Sequence, residues 1–397
     1  MGTFSKKGMV AALAGALTVG LIAPGLAHAD VAPQGGDVVG VGSDTVQYLA
    51  DFGADGDYVG DAGYNAAGNV NRLVNFDATP DANARAGYLN GSTNAVLAPL
   101  NPTIVLRAGT TPIQRPNGSG AGINALIADH AGSINYIRMS RAPKAAEQTA
   151  ATNSAGVGSL RVVQISTDGL QLAVTTGTHA VPLSAQELVS IYSGTVTTWN
   201  QLPGNAAGST ATIHPRIPQS GSGTRSSFLA DLQAANGGTA VTLGANVTTV
   251  EENDPYSLYL ADSPSSTPDV DAIAPFSSGR LALYLGSNGN PGYFHDPSVV
   301  YPGSASALVP AVALQAGTPA DSNALYNDQR GLFIVFRNSD YTSAAPFQAG
   351  SAKNWVNTLF AAPSGTPYFK GSAGSALIAA AGATPSYADK GNGYSVG

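Results

Sequence analysis

Apolar and polar positions along this chain repeat one order: a short apolar run, a loop of small polar residues, then apolar positions at helical spacing. Val38, Val39 and Val41 predict a β-branched strand, Gly42-Ser43-Asp44-Thr45 a turn, and the positions up to Leu49 the start of a helix. Residues 104–106 predict a strand leading toward a glycine-serine loop at 117–122, after which Ile123, Leu126 and Ile127 recur at helical spacing. Residues 133–141 alternate apolar and polar, as a strand would, and end in Ser140 and Arg141 before Pro143. The stretch 162–174 predicts two strands with a turn at Asp168-Gly169, and Ser184 with Glu187 three residues on forms a capping box for a helix reaching Tyr192. Residues 211–217 predict a strand, and the loop 218–224 runs into the helix-spaced Phe228, Leu229 and Leu232. Residues 331–337 form a near-continuous apolar strand of the kind buried on both faces, and 353–359 and 373–381 predict helices. Strands alternating with helices in this way define the α/β class.

The junctions carry the chemistry. Gly221 and Gly223 leave amide groups uncovered, Ser222 and Thr224 add hydroxyls, and a helix opening near Thr224 presents unpaired N–H groups and its positive dipole end to the loop. Ser119 and its glycines repeat that arrangement ahead of Ile123. Such helix starts bind anions, although a single glycine-serine run is more often a plain turn or cap. At the first junction Ser43 or Asp44 predicts an N-cap, worth about 1 kcal/mol. It is the occurrence of two glycine-serine loops of one chemistry in one chain that points to an anion.

Length and composition narrow the class. A chain of 397 residues exceeds one ordinary core and predicts two domains. Only 11% of the residues are charged, so the surface leans on Ser, Thr, Asn and backbone polarity. Lys6-Lys7, an apolar run broken by Gly15, Gly20 and Pro24-Gly25, and Ala27-His28-Ala29 predict a secretory signal over residues 1–29, cleaved after Ala29. There is no cysteine, so neither disulfides nor a lipidated N-terminal cysteine is expected. The remainder has no apolar run long enough to span a bilayer. Removing residues 1–29 removes two lysines and no acid, taking the formal charge from −7 to −9, which argues against nucleic acid as a partner.

Residues 51–57 resemble a calcium loop superficially but lack its bidentate Glu, and 250–254 (Val-Glu-Glu-Asn-Asp), without histidines nearby, predicts an exposed polar turn rather than a metal site. No metal and no cofactor is expected. Neither a Gly-x-Ser-x-Gly nor a His-Glu-x-x-His motif occurs, and His130, His179, His214 and His295 lie outside the loops, so no catalytic residue is assigned.

Gly42-Ser-Asp-Thr45, Gly118-Ser-Gly-Ala-Gly122, Ser140-Arg-Ala-Pro143, Asp168-Gly-Leu-Gln-Leu-Ala-Val174 with Tyr192-Ser-Gly194 and Trp199, and Ser220-Gly-Ser-Gly-Thr224 occur in one order. In that order they resemble the extracytoplasmic phosphate-binding proteins of ABC transporters, from about Val38 to the C-terminus. The resemblance implies a two-lobed α/β type II periplasmic-binding-protein fold, with an anion held between lobes joined by crossing strands near 165–174 and 331–337. Lobe 1 would comprise 30–168 and 331–397, and lobe 2 169–330. The implied ligand residues are Asp44 or Thr45, Ser119, Ser222, Gly223 and Thr224; Gly120, Ser140, Arg141 and Arg225 complete the candidate set.

Two positions depart from the family. Pro218 stands where an arginine is usual, with Arg216 and Arg225 nearby, and Arg141 stands where the family has an aspartate that accepts a hydrogen bond from protonated phosphate. Arg141 either supplies the missing charge by a bidentate contact with the ligand, or points to solvent or pairs with a surface acid. The implied function is capture of inorganic phosphate or a related oxyanion by a monomeric, secreted or envelope-held protein serving an ABC permease. The alternative is a surface protein of the same fold that recognises a phosphorylated or sulfated ligand without transport.

Overall fold

The computed structural model describes residues 33–57, 59–78, 103–175, 179–255, 258, 269–285, 312–347 and 353–396. The expected signal segment, residues 79–102 and His295 lie outside them. The strands are β1 (Val38–Gly42), β2 (Leu73–Asn75), β3 (Thr103–Ile104), β4 (Ile113–Gln114), β5 (Tyr136–Met139), β6 (Leu160–Thr175), β7 (His214–Pro218), β8 (Thr248–Val250), β9 (Ala272–Ser277), β10 (Val312–Leu314), β11 (Asn327–Arg337) and β12 (Thr384–Asn392). The helices used below are α1 (Gln47–Asp55), α2 (Ser119–Ala128), α3 (Ala145–Asn153), α4 (Ala185–Tyr192), α5 (Gly223–Ala235) and α6 (Ser278–Leu285).

One sheet runs through the molecule in the order β2-β1-β5-β11-β6-β9-β7-β8, with β10 and β12 also on β6. In the first half β1 pairs in parallel with β2 and β5, and β11 then enters antiparallel between β5 and β6. The second half repeats the plan: β7 pairs in parallel with β8 and β9, and β6 enters antiparallel between β9 and the β10–β11 side. Each half is therefore completed by a strand arriving from the other, and β6 and β11 belong to both. Strand β1 is buried along its whole length, as befits a parallel strand covered on both faces.

Several local expectations are corrected. Residues 162–174 are not two strands: β6 passes straight through Asp168 and Gly169, because β11 stays paired alongside them. Helix α1 starts at Gln47 behind Val46 with no side-chain cap, so neither Ser43 nor Asp44 caps it. Helix α6 lies in the sequence of the expected lobe 2, yet Leu283 and Tyr284 pack into the first half's core with Tyr48, Phe52 and Phe336. The C-terminal strand β12 was not anticipated. The capping box opening α4 is present, with Glu187 N–H donating to Ser184 Oγ at 3.2 Å and Ser184 N–H to Glu187 Oε2 at 2.9 Å.

In the second half Leu188, Ile191 and Tyr192 of α4 meet Phe228 and Leu232 of α5, each burial worth roughly 1.5–3 kcal/mol. At the edge of this core Tyr326 Oη donates to Asp231 Oδ2 at 2.7 Å. Burial pushes the Asp231 carboxyl up from 3.8 to about 6, against the lowering effect of that hydrogen bond. The folded state thus holds this proton more tightly than the unfolded chain, and the stability it contributes at low pH is lost as pH rises from about 4 through about 6. Asp231→Asn keeps the acceptor without the charge. It is expected to match the wild type in thermal midpoint near pH 4 and to exceed it at pH 7; an equal gap at both pH values would refute this.

Candidate functional site

Five strands, parallel within each half, deliver their carboxyl ends to the region between the halves, where open α/β sheets place ligand-binding loops. Strand β1 ends at Gly42 and leads to Asp44 and Thr45, β5 leads to Ser140, and β7 to the loop before α5. Strand β8, paired in parallel beside β7, leads to Glu252 and Asn253, and β9 ends in Ser277.

The two glycine-serine loops dock face to face. Gly120 N–H donates to the Gly221 carbonyl at 2.9 Å, and Gln219 Nε2 donates to Asn117 Oδ1 at 2.9 Å. Asn117 Nδ2 in turn donates to Glu251 Oε1 at 2.8 Å. Ser222 is the N-cap of α5, its Oγ accepting from Arg225 N–H at 3.0 Å. Ser119 Oγ accepts from Ser140 N–H at 2.9 Å and lies 3.3 Å from Ser140 Oγ. Gly223 packs against both serines: a β-carbon there would stand 2.1 Å from Ser140 Oγ and 2.4 Å from Ser119 Oγ.

At the centre three donors converge on one carboxylate oxygen, Glu252 Oε1. Thr45 Oγ1 donates from the first half at 3.0 Å, and Thr224 gives both its hydroxyl, at 2.5 Å, and its backbone N–H, at 3.3 Å. A hydroxyl has one proton to give, so the 3.3 Å approach of the two threonine oxygens is proximity once both point at Glu252. Asn253 Nδ2 bridges Thr45 Oγ1 at 3.0 Å and Asp44 Oδ1 at 3.2 Å, while Asn253 Oδ1 accepts from Ser277 N–H at 2.9 Å.

Two arginines flank this point. Arg330 of β11 stands in register opposite Asp168 of β6, and its Nη2 lies 3.0 Å from Asp168 Oδ2. Its Nη1 donates to Thr224 Oγ1 at 2.7 Å and its Nη2 reaches Thr45 Oγ1 at 3.4 Å, so one guanidinium on a shared strand touches both halves. Asp168 Oδ1 also accepts from Ser277 Oγ at 2.8 Å and Gly279 N–H at 3.2 Å. Arg280 of α6 pairs with Asp44 at 3.2 Å, its guanidinium 4.2 Å from the Tyr48 ring centre and 4.8 Å from that of Tyr284. All of these polar groups are buried, and each carries a neutralising or hydrogen-bonded partner, as such burial demands.

Of the residues expected from sequence, Asp44, Thr45, Ser119, Ser140, Ser222, Gly223 and Thr224 come together between the halves. The amide of Gly120 is used in the loop–loop bond. Of the two readings of Arg141 the structure shows the pairing with an acid: its Nη1 and Nη2 donate to Glu147 at 2.8 and 2.6 Å, and Nη1 also to the Ala142 carbonyl at 3.0 Å. Burial raises the Glu147 carboxyl, but the Arg141 and Lys144 hydrogen bonds outweigh it and hold the group below its usual value. Arg225 donates to the Pro218 carbonyl at 2.8 Å, bracing the loop, and burial lowers its pKa. The segment expected as an exposed polar turn is corrected too, since Glu252, Asn253 and Asp254 are among the most buried polar residues. Arg330, Asp168 and Arg280 escaped the sequence reading; the visible signal for Arg330 was a charge at the mouth of an apolar strand. Among the described residues no helix is long and apolar enough to cross a membrane.

Residues 80–273 match the family model of the PBP superfamily domain. The two-lobed type II periplasmic-binding-protein fold expected from sequence is the fold observed. No curated protein matches the sequence. Among solved structures the chain is similar to a human phosphate-binding apolipoprotein, at 17% identity and a TM-score of 0.47, over 88% of this chain and 91% of that one. It is also similar to an ABC-type phosphate transport receptor from Vibrio cholerae, at 16% identity and a TM-score of 0.45, over 88% and 100%.

Proposed function

We propose that this protein is an extracytoplasmic solute-binding protein that captures inorganic phosphate or a related oxyanion between its lobes for uptake by an ABC-type permease. The observation that carries the reading is the convergence of Thr45 Oγ1, Thr224 Oγ1 and Thr224 N–H on a single anionic oxygen. Donors from two lobes and a helix start, aimed at one point, suit an oxyanion oxygen better than any neutral ligand. Ser119 and Ser140 lie beside Gly223 with hydroxyls to add, and Arg330 supplies the cation that the family's arginine would provide at Pro218.

Binding works by closure. The lobes 30–168 with 331–397, and 169–330, pivot on β6 and β11, with α6 riding on lobe 1. Each lobe contributes part of the donor set, so the anion sheds water only as the lobes meet and affinity is coupled to closure. Cleavage after Ala29 releases a monomer outside the cytoplasm.

Calorimetric titration of the chain from Asp30 onward with phosphate and then sulfate tests this. Saturable binding of at least one of them, lost in Thr224→Val, is expected. Binding of neither would overturn the reading and favour a surface protein that needs an extended phosphorylated or sulfated ligand.

A further inference from the structure

Glu252 is 0% exposed and is supplied by the turn after β8, not by either glycine-serine loop. Its Oε1 accepts hydrogen bonds from the hydroxyls of Thr45 and Thr224 and from the Thr224 amide at the start of α5. A carboxylate oxygen is chemically an oxyanion oxygen, and a hydroxyl has a single proton to donate. While Glu252 holds these groups, no other anion can use them. The turn is braced to keep it there: Glu252 N–H donates to Gln219 Oε1 at 2.8 Å, and Asn253, at φ 53°, links Asp44, Thr45 and Ser277.

We infer that Glu252 is a built-in carboxylate ligand that occupies the oxyanion seat, ties the two lobes together through Thr45 and Thr224, and competes with the incoming anion. This rests on the oxyanion-binding reading above and deepens it. The Glu252 carboxylate withdraws before phosphate enters, so the apparent affinity is the intrinsic affinity scaled by the fraction of molecules with the seat vacated. The side chain thereby tunes the protein to higher anion concentrations than its donor set alone would set. It also closes the lobes on each other without a solute.

The test compares wild type, Glu252→Ala and Glu252→Gln. Glutamine keeps the shape and an acceptor oxygen while removing the charge, so it remains informative if the alanine variant folds poorly. Calorimetry with phosphate is expected to give at least tenfold tighter binding in both variants than in wild type. Small-angle scattering is expected to show the alanine variant more open than wild type without ligand and closing on phosphate. Acetate, which replaces the deleted carboxylate, is expected to raise the thermal midpoint of Glu252→Ala and leave wild type unmoved. If wild type binds phosphate and both variants bind it equally or more weakly, the competitor role is overturned while the oxyanion reading stands. If none of the three proteins binds phosphate or sulfate, both fall.

Discussion

Arg330→Met is expected to abolish oxyanion binding and to lower the thermal midpoint by several degrees. Arg330 and Asp168 are both buried, and the guanidinium neutralises the carboxylate at 3.0 Å while holding Thr224 Oγ1 at 2.7 Å. Methionine fills much of the same volume but leaves the Asp168 charge buried without this cation. Breaking one side of a buried pair costs about 3–5 kcal/mol, more than the hydrophobic replacement returns. The companion Asp168→Asn/Arg330→Met removes both charges and is expected to regain most of the midpoint, by chemical or thermal unfolding, without regaining binding. That split separates the two roles of Arg330. A single variant as stable as wild type would mean the pair is not buried in solution, and retained phosphate affinity would mean the cation of the site lies elsewhere.

Gly223→Ala is expected to leave the fold intact while reducing phosphate affinity at least a hundredfold. Gly223 is the first residue of α5, and alanine there carries no backbone penalty and a slightly better helix propensity, worth under about 1 kcal/mol. The added methyl, however, falls within 2.1–2.4 Å of Ser140 Oγ and Ser119 Oγ on the opposing lobe. It acts as a wedge between lobes, so Thr45 and Thr224 cannot converge. Scattering is expected to show a more extended particle that phosphate no longer compacts. Ser140→Gly in the same background removes the nearer clash and should restore part of the affinity. An alanine variant that closes and binds as wild type does would show that the two loops do not meet this tightly.

Much of the architecture was legible because it is written in short-range patterns. The β-branched run before Gly42, the helical spacing after Ser119 and Ser222, and the apolar run of β11 each depend on neighbours a few residues away. Thr45, Ser119 and Thr224 were legible for the same reason, each standing at a strand-to-helix junction. Asp168 was misread as a turn residue because Asp-Gly is ordinarily a turn, and only its register partner Arg330, 162 positions away, explains a carboxylate in mid-strand. Arg141 kept two readings in sequence because only the fold brings its guanidinium onto Glu147, six residues on.

Glu252 marks the limit most clearly. In sequence it belongs to an acidic, Asn-containing segment, and polarity alone predicts exposure. In the structure the parallel pairing of β7 with β8 carries it onto the start of α5, where hydroxyls and an amide from two lobes satisfy it. By itself the sequence determined the strand-to-loop-to-helix junctions at Gly42–Thr45, Gly118–Gly122 and Ser220–Thr224, and with them the small, donor-rich chemistry of the candidate site. Only the tertiary structure decided which charges are buried, and that Arg330 and Glu252 meet at Thr45 and Thr224. Backbone preference is set by adjacent residues, whereas the neutralisation of a buried charge depends on groups that the chain brings together from far apart.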